Sequence, residues 1–338
     1  MRKYVLYLLS AAALTFFPFV IFSWWAEPIY GDLTRIGRWT ERDFGPNSPI
    51  PNINVKSNGK IINNTDAVVL GDSFSQKNLW QSVFTERTKN IVKTYEYSQS
   101  NCIPSFLEVA ITNASNKIVI IETVERSFIQ RFSYIPSCSS KTLVPSEIKA
   151  EMVGGTPRPK WPLSLGFWYT TTTAINTIRL NIFNEQYSNR YQTVNTELSN
   201  GCALFSNRRN DKFLYYADDD LKQKWTEGEI KNAIANVLKI QNQVERSGKK
   251  FIFIIAPDKS SVYQSCLPTH KNNLKTPNIN QILIDSGVNT PNMQSVFQEK
   301  IGLIVDLYNP DNTHWSEGGY ILAGETIGHY VSIFSAEH

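Results

Sequence analysis

The stretch Asp66-Ala-Val-Val-Leu-Gly-Asp-Ser73 decides the fold. Its four consecutive apolar residues are bounded by turn formers, a pattern typical of a strand buried on both faces of a parallel sheet. Gly71 then permits a sharp turn. Ser73 follows at the carboxyl end of the strand, where parallel sheets place their binding crevices. The stretch therefore predicts an α/β fold in which a serine faces the crevice.

The chain on the C-terminal side repeats this alternation of strands and helices. Apolar runs predict further strands at 91–97, 117–122, 251–256 and 302–306, and periodic patterns predict helices at 74–89, 226–247 and 315–334. Thr226 and Glu229 have the spacing of a capping box. The alternation predicts a parallel sheet with helices on both faces. An aromatic-rich stretch at about 133–221 interrupts it and is interpreted as a partly helical inserted subdomain.

The N-terminus has the features of a membrane anchor. Arg2 and Lys3 precede an uncharged run from Tyr4 to Trp25, and about 20 apolar residues suffice to span a bilayer. The basic flank places the N-terminus inside the cytoplasm. Residues 1–26 are therefore predicted to be a transmembrane signal anchor, with a cleaved signal peptide as the alternative. Residues 27–65 are interpreted as a juxtamembrane linker, and 66–338 as the catalytic domain.

Composition argues against several partners and cofactors. Lys plus Arg total 34 and Asp plus Glu total 30, without a basic block, so no nucleic-acid partner is suggested. No CxxC pair occurs and only four histidines are present, so no metal site is predicted. The even number of cysteines in an exported chain favours disulfides. We expect at least one, with Cys202–Cys266 preferred over the other pairings; four reduced thiols are the alternative.

The residues that carry chemistry lie near the two ends of the predicted domain. Ser73 follows the first strand, and Asp311-Asn-Thr-His314 lies between the last predicted strand and the last helix. A serine nucleophile needs a base such as histidine, and that base needs a carboxylate to orient it. This arrangement predicts a triad of Ser73, His314 and Asp311. The alternatives are a helix-capping serine and a structural histidine.

These motifs resemble those of the SGNH (GDSL-type) hydrolase superfamily. Four segments are similar to the alginate O-acetyltransferase group within it, namely 71–75, 122–126, 256–263 and 313–315. The resemblance implies a flavodoxin-like three-layer fold and acetylation of an exported polysaccharide. In that group the last two segments precede the serine motif, and the aspartate lies two residues before the histidine instead of three. The order here is more similar to the SGNH domains attached to membrane acyltransferases that modify surface polysaccharides.

The oxyanion donor departs from the superfamily pattern. The superfamily often uses an asparagine after the third strand, whereas this chain has acidic residues and Arg126 there. Arg126 and Asn101 are candidate oxyanion donors. Lys259 and Tyr263, which follow the fourth strand, are candidate site-lining residues. Structural ion pairing or loop shaping is the alternative for these side chains.

The sequence therefore predicts an O-acetyltransferase that acts on a polysaccharide through an acyl-serine and needs no cofactor. The catalytic domain is expected outside the cytoplasm, tethered to the inner membrane by a single span. Acetyl-CoA is not expected there, so a membrane acyltransferase partner would have to present the acyl group. The rival hypotheses are an esterase that transfers the acyl group to water and a non-catalytic polysaccharide assembly factor on the same fold.

Overall fold

The structure, a computed structural model, describes residues 30–56 except 38, 65–97, 102–138, 145–155 except 147, 192–268 except 200 and 203, and 276–336, with a few positions before residue 15. The helices are α1 Asp32–Gly37, α2 Glu41–Phe44, α3 Leu79–Thr88, α4 Ile103–Thr112, α5 Phe128–Phe132, α6 Glu227–Arg246, α7 Lys259–Val262, α8 Ile279–Asp285, α9 Met293–Glu299 and α10 Glu317–Ala336. The strands are β1 Ile53–Val55, β2 Ala67–Gly71, β3 Val92–Glu96, β4 Ile118–Val124, β5 Glu151–Val153, β6 Thr193–Glu197, β7 Lys212–Tyr216 and β8 Lys250–Ala256. Short 3-10 helices occupy Glu125–Ser127, Ala217–Lys224 and Gln264–Cys266.

The central sheet has the strand order β3-β2-β4-β8, and all its neighbouring pairs are parallel. Numbered along the chain, these strands give the order 2-1-3-4, which is the start of the flavodoxin-like order. The prediction of a parallel α/β sheet is confirmed. The connection reverses direction between β2 and β4, so the crevice opens beyond the carboxyl ends of those two strands. Ser73 directly follows one of them.

Successive residues of each central strand pack on opposite sides of the sheet. On one side, Val69 and Ile120 belong to a core that includes residues of α3, α9 and α10. On the other side, Leu70 and Ile121 belong to a core that includes residues of α4, α6 and α8. Burial of both faces explains the uninterrupted apolar runs, and each buried aliphatic side chain contributes roughly 1.5–3 kcal/mol. The molecule is a three-layer α/β/α domain.

Two elements differ from the sequence prediction. The strand predicted at 302–306 is wrong, because these residues form turns. Gly302 and Asp306 have φ of 76° and 54°, in the left-handed region that interrupts an extended chain, and Leu303 is 73% exposed. The helix predicted from residue 74 begins only at Leu79, because Asn78 has φ of 56°.

The segment interpreted as a juxtamembrane linker is part of the folded domain, which corrects that interpretation. Leu33, Trp39 and Phe44 form a buried cluster with Leu214 of β7. Strand β1 also pairs antiparallel with β5. The Pro, Gly and Asn residues of this segment indicate turns, but its few apolar residues are too widely spaced to give a periodic pattern. Only the tertiary structure shows what covers them.

The predicted signal anchor at 1–26 lies almost entirely outside the described residues. Across the part of the chain that the structure describes, we find no helix with the length and apolar content needed to cross a bilayer. The anchor therefore stays a prediction. The aromatic residues at 161–191 of the predicted insertion also lie outside the described residues. The described part of the predicted insertion includes the antiparallel pair β6–β7.

Two disulfides join segments that are distant in sequence. Cys202 is bonded to Cys266, which ties the segment after β6 to the segment after β8, and Cys102 is bonded to Cys138 across 36 residues. The expectation of at least one disulfide, with Cys202–Cys266 preferred, is confirmed. Closure of a 64-residue loop stabilises the fold by about 4 kcal/mol in the chain-entropy description.

Candidate active site

Ser73 and His314 meet at the carboxyl end of β2, although 241 residues separate them in sequence. The Ser73 Oγ lies 2.8 Å from the Nε2 of His314, a distance suited to proton transfer between a nucleophile and its base. The ring of Phe74 packs against the imidazole with centroids 4.8 Å apart. Ser73 sits in a turn that precedes α3, so the helix N-terminus expected beside it begins six residues later.

The turn that carries Ser73 is held by the side chain of Asp72. Its Oδ1 accepts from the backbone N–H of Phe74 at 3.1 Å, and its Oδ2 accepts from the backbone N–H of Val124 at 2.7 Å. The Arg131 guanidinium donates to the same Oδ2 at 2.6 Å. Asp72 is therefore bonded to its own turn, to β4 and to α5. These bonds fix the direction in which the neighbouring serine points.

The side chain of Glu122 on β4 also stabilises this turn through hydrogen bonds. Its Oε2 accepts from the backbone N–H of Asp72 at 3.0 Å and from the Ser75 hydroxyl at 2.7 Å. Gly71 permits this approach, because a Cβ there would lie 2.3 Å from the Ser75 Oγ. Complete burial, together with the negative charge of Asp72, raises the pKa of Glu122 well above its ordinary value. The folded protein therefore favours the protonated, neutral form of the Glu122 carboxyl more strongly than the unfolded chain does.

We expect Glu122→Gln to stabilise the protein increasingly as the pH rises. The folded carboxyl keeps its proton above pH 4.5, where the unfolded carboxyl loses it, so the wild-type protein loses stability as the pH rises. Glutamine is neutral and cannot lose a proton. In urea unfolding at pH 5 and pH 8, the stability of the variant relative to wild type should increase between the two values. Exposed Glu108→Gln serves as the control, and an unchanged difference would contradict the assignment.

The other nitrogen of His314 faces three oxygen atoms. The Nδ1 lies 2.7 Å from Asn312 Oδ1, 3.2 Å from Thr313 Oγ1 and 3.5 Å from Asp32 Oδ2. Asn312 Oδ1 also accepts from the backbone N–H of His314 at 3.0 Å, which identifies it as the amide oxygen. Surrounded by acceptors, Nδ1 carries the ring proton. This leaves Nε2 unprotonated and able to accept the proton of Ser73.

The carboxylate beside His314 belongs to Asp32, which corrects the predicted role of Asp311. The histidine turn places the residue two positions before His314, Asn312, beside the ring. Asp311 uses its backbone carbonyl to accept from the N–H groups of Leu33 and Thr34 at 3.0 and 3.3 Å. Asp311 thereby holds α1, the helix that begins with Asp32. The i−2 spacing of the resembled group pointed to position 312, but no sequence signal pointed to Asp32.

Of the remaining candidate residues, one lines the cleft, one is buried away from it and one lies outside the described residues. Arg126 lines the same cleft as Ser73, and its Nη1 also pairs with Asp258 at 2.5 Å and Asp219 at 3.4 Å. Tyr263 is buried, and its hydroxyl accepts from the backbone N–H of Tyr308 at 3.3 Å, so the structure corrects its predicted site-lining role. Asn101 lies outside the described residues.

Lys259 lies behind the histidine turn and is not among the residues that line the cleft, which corrects its predicted site-lining role. Its ammonium donates to the backbone carbonyls of Asn309, Pro310 and Asn312 at 2.8, 3.0 and 3.3 Å. It also lies 5.1 Å from the centroid of the Phe205 ring. Burial lowers the pKa of Lys259 to about 7. The side chain is therefore a clamp on the turn that carries His314.

We expect Lys259→Met to reduce kcat by about 10- to 100-fold, because small displacements of a catalytic group have effects of this size. Methionine retains the length of the side chain but donates no hydrogen bond, so three carbonyls of the turn lose their donor. The change in Tm should be modest, since removal of a buried charge offsets part of the lost bonding. Ester hydrolysis and thermal unfolding measure the two effects. Exposed Lys239→Met is the control, and wild-type kcat in Lys259→Met would rule out the clamp.

A cleft of about 780 Å³ adjoins Ser73. Its lining combines apolar side chains with polar, charged and aromatic ones, which include Gln76, Glu96, Tyr97, Arg126 and Gln130. Side chains of this kind recognise hydroxyl-rich ligands through hydrogen bonds and ring contacts. Across the described ranges, no group of three or more His, Cys, Asp and Glu residues is arranged to hold a metal ion.

The C-terminal part of the chain matches a known protein family. Residues 209–332 match the family described as the SGNH hydrolase-like domain of the acetyltransferase AlgX. This match confirms the resemblance inferred from the motifs. It includes Lys259, Asn312 and His314, whereas Asp32 and Ser73 lie before it. Searches of curated proteins and of solved structures gave no significant match.

Proposed function

We propose that this chain is a serine O-acyltransferase that acetylates an exported or cell-surface polysaccharide. The observation that carries the proposal is the 2.8 Å contact between Ser73 Oγ and His314 Nε2 beside a cleft that contains polar and charged side chains. The family match of residues 209–332 to an acetyltransferase domain supports acyl chemistry. A purely structural or binding role does not require a hydroxyl paired with an imidazole in this geometry.

The acylation step uses the two residues in defined roles. His314 Nε2 takes the proton of the Ser73 hydroxyl while Oγ attacks the carbonyl carbon of an acyl donor. When the tetrahedral intermediate collapses, the bond to the leaving group breaks and His314 returns the proton to that group. Ser73 then carries the acyl group as an ester. General-base assistance of this kind contributes about 10²- to 10⁴-fold.

Transfer repeats the same proton movements with a sugar hydroxyl. His314 accepts the proton of the hydroxyl, its oxygen attacks the acyl-serine, and the Ser73 oxygen leaves with the proton from His314. The products are an acetylated sugar and the free enzyme. Arg126 lines the cleft, which supports a role for its guanidinium in stabilising negative charge that develops on the substrate. A chain that used water as acceptor would be a deacetylating esterase.

The proposed setting follows from the N-terminal sequence. Basic residues before the uncharged run at 4–25 support an inner-membrane anchor with the catalytic domain in the periplasm. Two disulfides are in keeping with an oxidising compartment. We further propose that a membrane acyltransferase partner presents the acyl group, since acetyl-CoA is a cytoplasmic donor.

The test separates transfer from hydrolysis. The purified chain is incubated with a chromogenic acetyl ester, alone and with a panel of oligosaccharides. A transferase should release the chromophore faster when a suitable acceptor is present, and mass spectrometry should show the acetyl group on the sugar. Release of acetate at the same rate with every acceptor would favour the esterase. Ester turnover that does not depend on Ser73 would reject both enzymatic functions.

A further inference from the structure

We infer that Asp32, a residue of the N-terminal segment, supplies the negative charge for His314, while neutral Asn312 supplies the orienting hydrogen bond. The inference deepens the proposed function and rests on it for its catalytic meaning. Asp32 acts through His314 and is therefore a positioning residue. The carboxylate and the orienting hydrogen bond, which one aspartate provides in an ordinary triad, are here divided between two side chains.

The carboxylate of Asp32 is held in two places by Thr313. Its Oδ1 accepts from the Thr313 backbone N–H at 2.8 Å, and its Oδ2 accepts from the Thr313 hydroxyl at 2.5 Å. This grip places Oδ2 at 3.5 Å from His314 Nδ1. Burial alone would raise the pKa of Asp32, but interactions with His314 and Thr313 hold it below its ordinary value. Asp32 is therefore ionised near neutral pH.

The segment that carries Asp32 is fixed against the histidine turn. Gly31 packs so closely that a Cβ there would lie 2.1 Å from the backbone oxygen of Asp311. The Oε1 of Glu41 accepts from the N–H groups of Tyr30 and Gly31 at 2.9 and 2.8 Å. The buried side chain of Leu33 anchors α1 in its apolar cluster. The position of Asp32 is therefore determined by packing on both sides of the residue.

The charge has a role because His314 becomes positively charged when it takes the serine proton. An opposite charge within about 4–6 Å stabilises a charged group and shifts its pKa by roughly one to three units. The Asn312 amide is neutral and has no such effect. Among the described residues, the charged groups near this turn include Asp32 from α1, Asp311 of the turn itself, and Lys259 behind it, which interacts with Asp311, Asp32 and Asp306. The anion recorded beside the imidazole is Asp32, whose Oδ2 lies 3.5 Å from His314 Nδ1.

The test moves the charge from one position to the other. In the full-length chain, Asp32→Asn retains the shape of the side chain and should lower kcat/KM for the acetyl ester by about 10- to 100-fold. The acid limb of the pH–rate profile should move to lower pH by about one unit. The double variant Asp32→Asn with Asn312→Asp restores an anion beside Nδ1 and should recover most of the loss. Asp43→Asn, a change of the same kind in the N-terminal segment, is the control.

A second readout does not depend on activity. The pH midpoint of the His314 ring signals in NMR, assigned by comparison with His314→Ala, should fall in Asp32→Asn and rise again in the double variant. An unchanged midpoint in Asp32→Asn overturns the inference, as does an equal or larger decrease in Asp311→Asn. If the midpoint shifts as expected but no variant hydrolyses esters, the electrostatic inference stands and the proposed function fails. If activity depends on Ser73 but is unaffected by Asp32→Asn, the proposed function stands and the inference about Asp32 fails.

Discussion

Ser73→Ala is expected to reduce kcat by on the order of a million-fold, the loss seen when a triad enzyme loses its nucleophile. The reason is that Ser73 Oγ, which lies 2.8 Å from His314 Nε2, is the atom on which the acyl ester would form. The fold should be unaffected, since Asp72 and Glu122 hold the turn through bonds that do not involve the serine hydroxyl. Steady-state ester hydrolysis and thermal unfolding measure the two effects.

His314→Ala should be almost as severe, and the double variant should be no worse than either single one, because the two residues act as a unit. Ser286→Ala, at the exposed end of α8, is the control and should retain full activity. In cells, Ser73→Ala should remove acetyl groups from an exported glycan if the chain transfers them, and increase them if it is a deacetylase. Wild-type acetylation in amount and position would leave only the non-catalytic assembly role.

Lys222→Met should lower the free energy of unfolding by about 3–5 kcal/mol, the usual cost of breaking a buried ion pair from one side. The Lys222 ammonium lies 2.7 Å from Asp258 Oδ2 and 3.0 Å from Glu125 Oε2, and all three side chains are at most 2% exposed. Methionine preserves the packing but leaves the carboxylates with less compensation. Arg126 remains bonded to Asp258, so the loss should not exceed this range.

Urea unfolding at pH 7 measures the effect. Lys224→Met is the matched control, because this exposed lysine lies two residues further along the same 3-10 helix. Equal unfolding midpoints for the two variants would show that the buried pairs contribute no net stability. The same cluster includes Asp219, where burial and the charge of Asp258 raise the pKa to about 8.

The central strands could be predicted from sequence because their environment is uniform. Side chains on both faces of these strands are buried, at residues 67–70, 118–121 and 251–255. A continuous apolar run in the sequence is therefore enough to identify such a strand. The run at 302–306 has the same composition but lies in turns, with Leu303 exposed. Backbone conformation at Gly302 and Asp306 decided that difference, and a hydrophobicity pattern does not encode it.

The sequence by itself determined the parallel α/β fold, the resemblance to SGNH hydrolases, the presence of at least one disulfide and the approach of Ser73 to His314. These follow from local signals, namely buried strands, polar residues at strand ends and the spacing of motifs. Only the tertiary structure decided which carboxylate serves His314. Asp311 is three residues from the histidine, but its backbone carbonyl bonds to α1. Asp32 is 282 positions away in sequence and reaches the ring because apolar packing and hydrogen bonds to the turn place its segment there. Ser73 and His314 are marked by motifs at strand and helix ends, whereas no motif or periodic pattern marks Asp32 in the sequence.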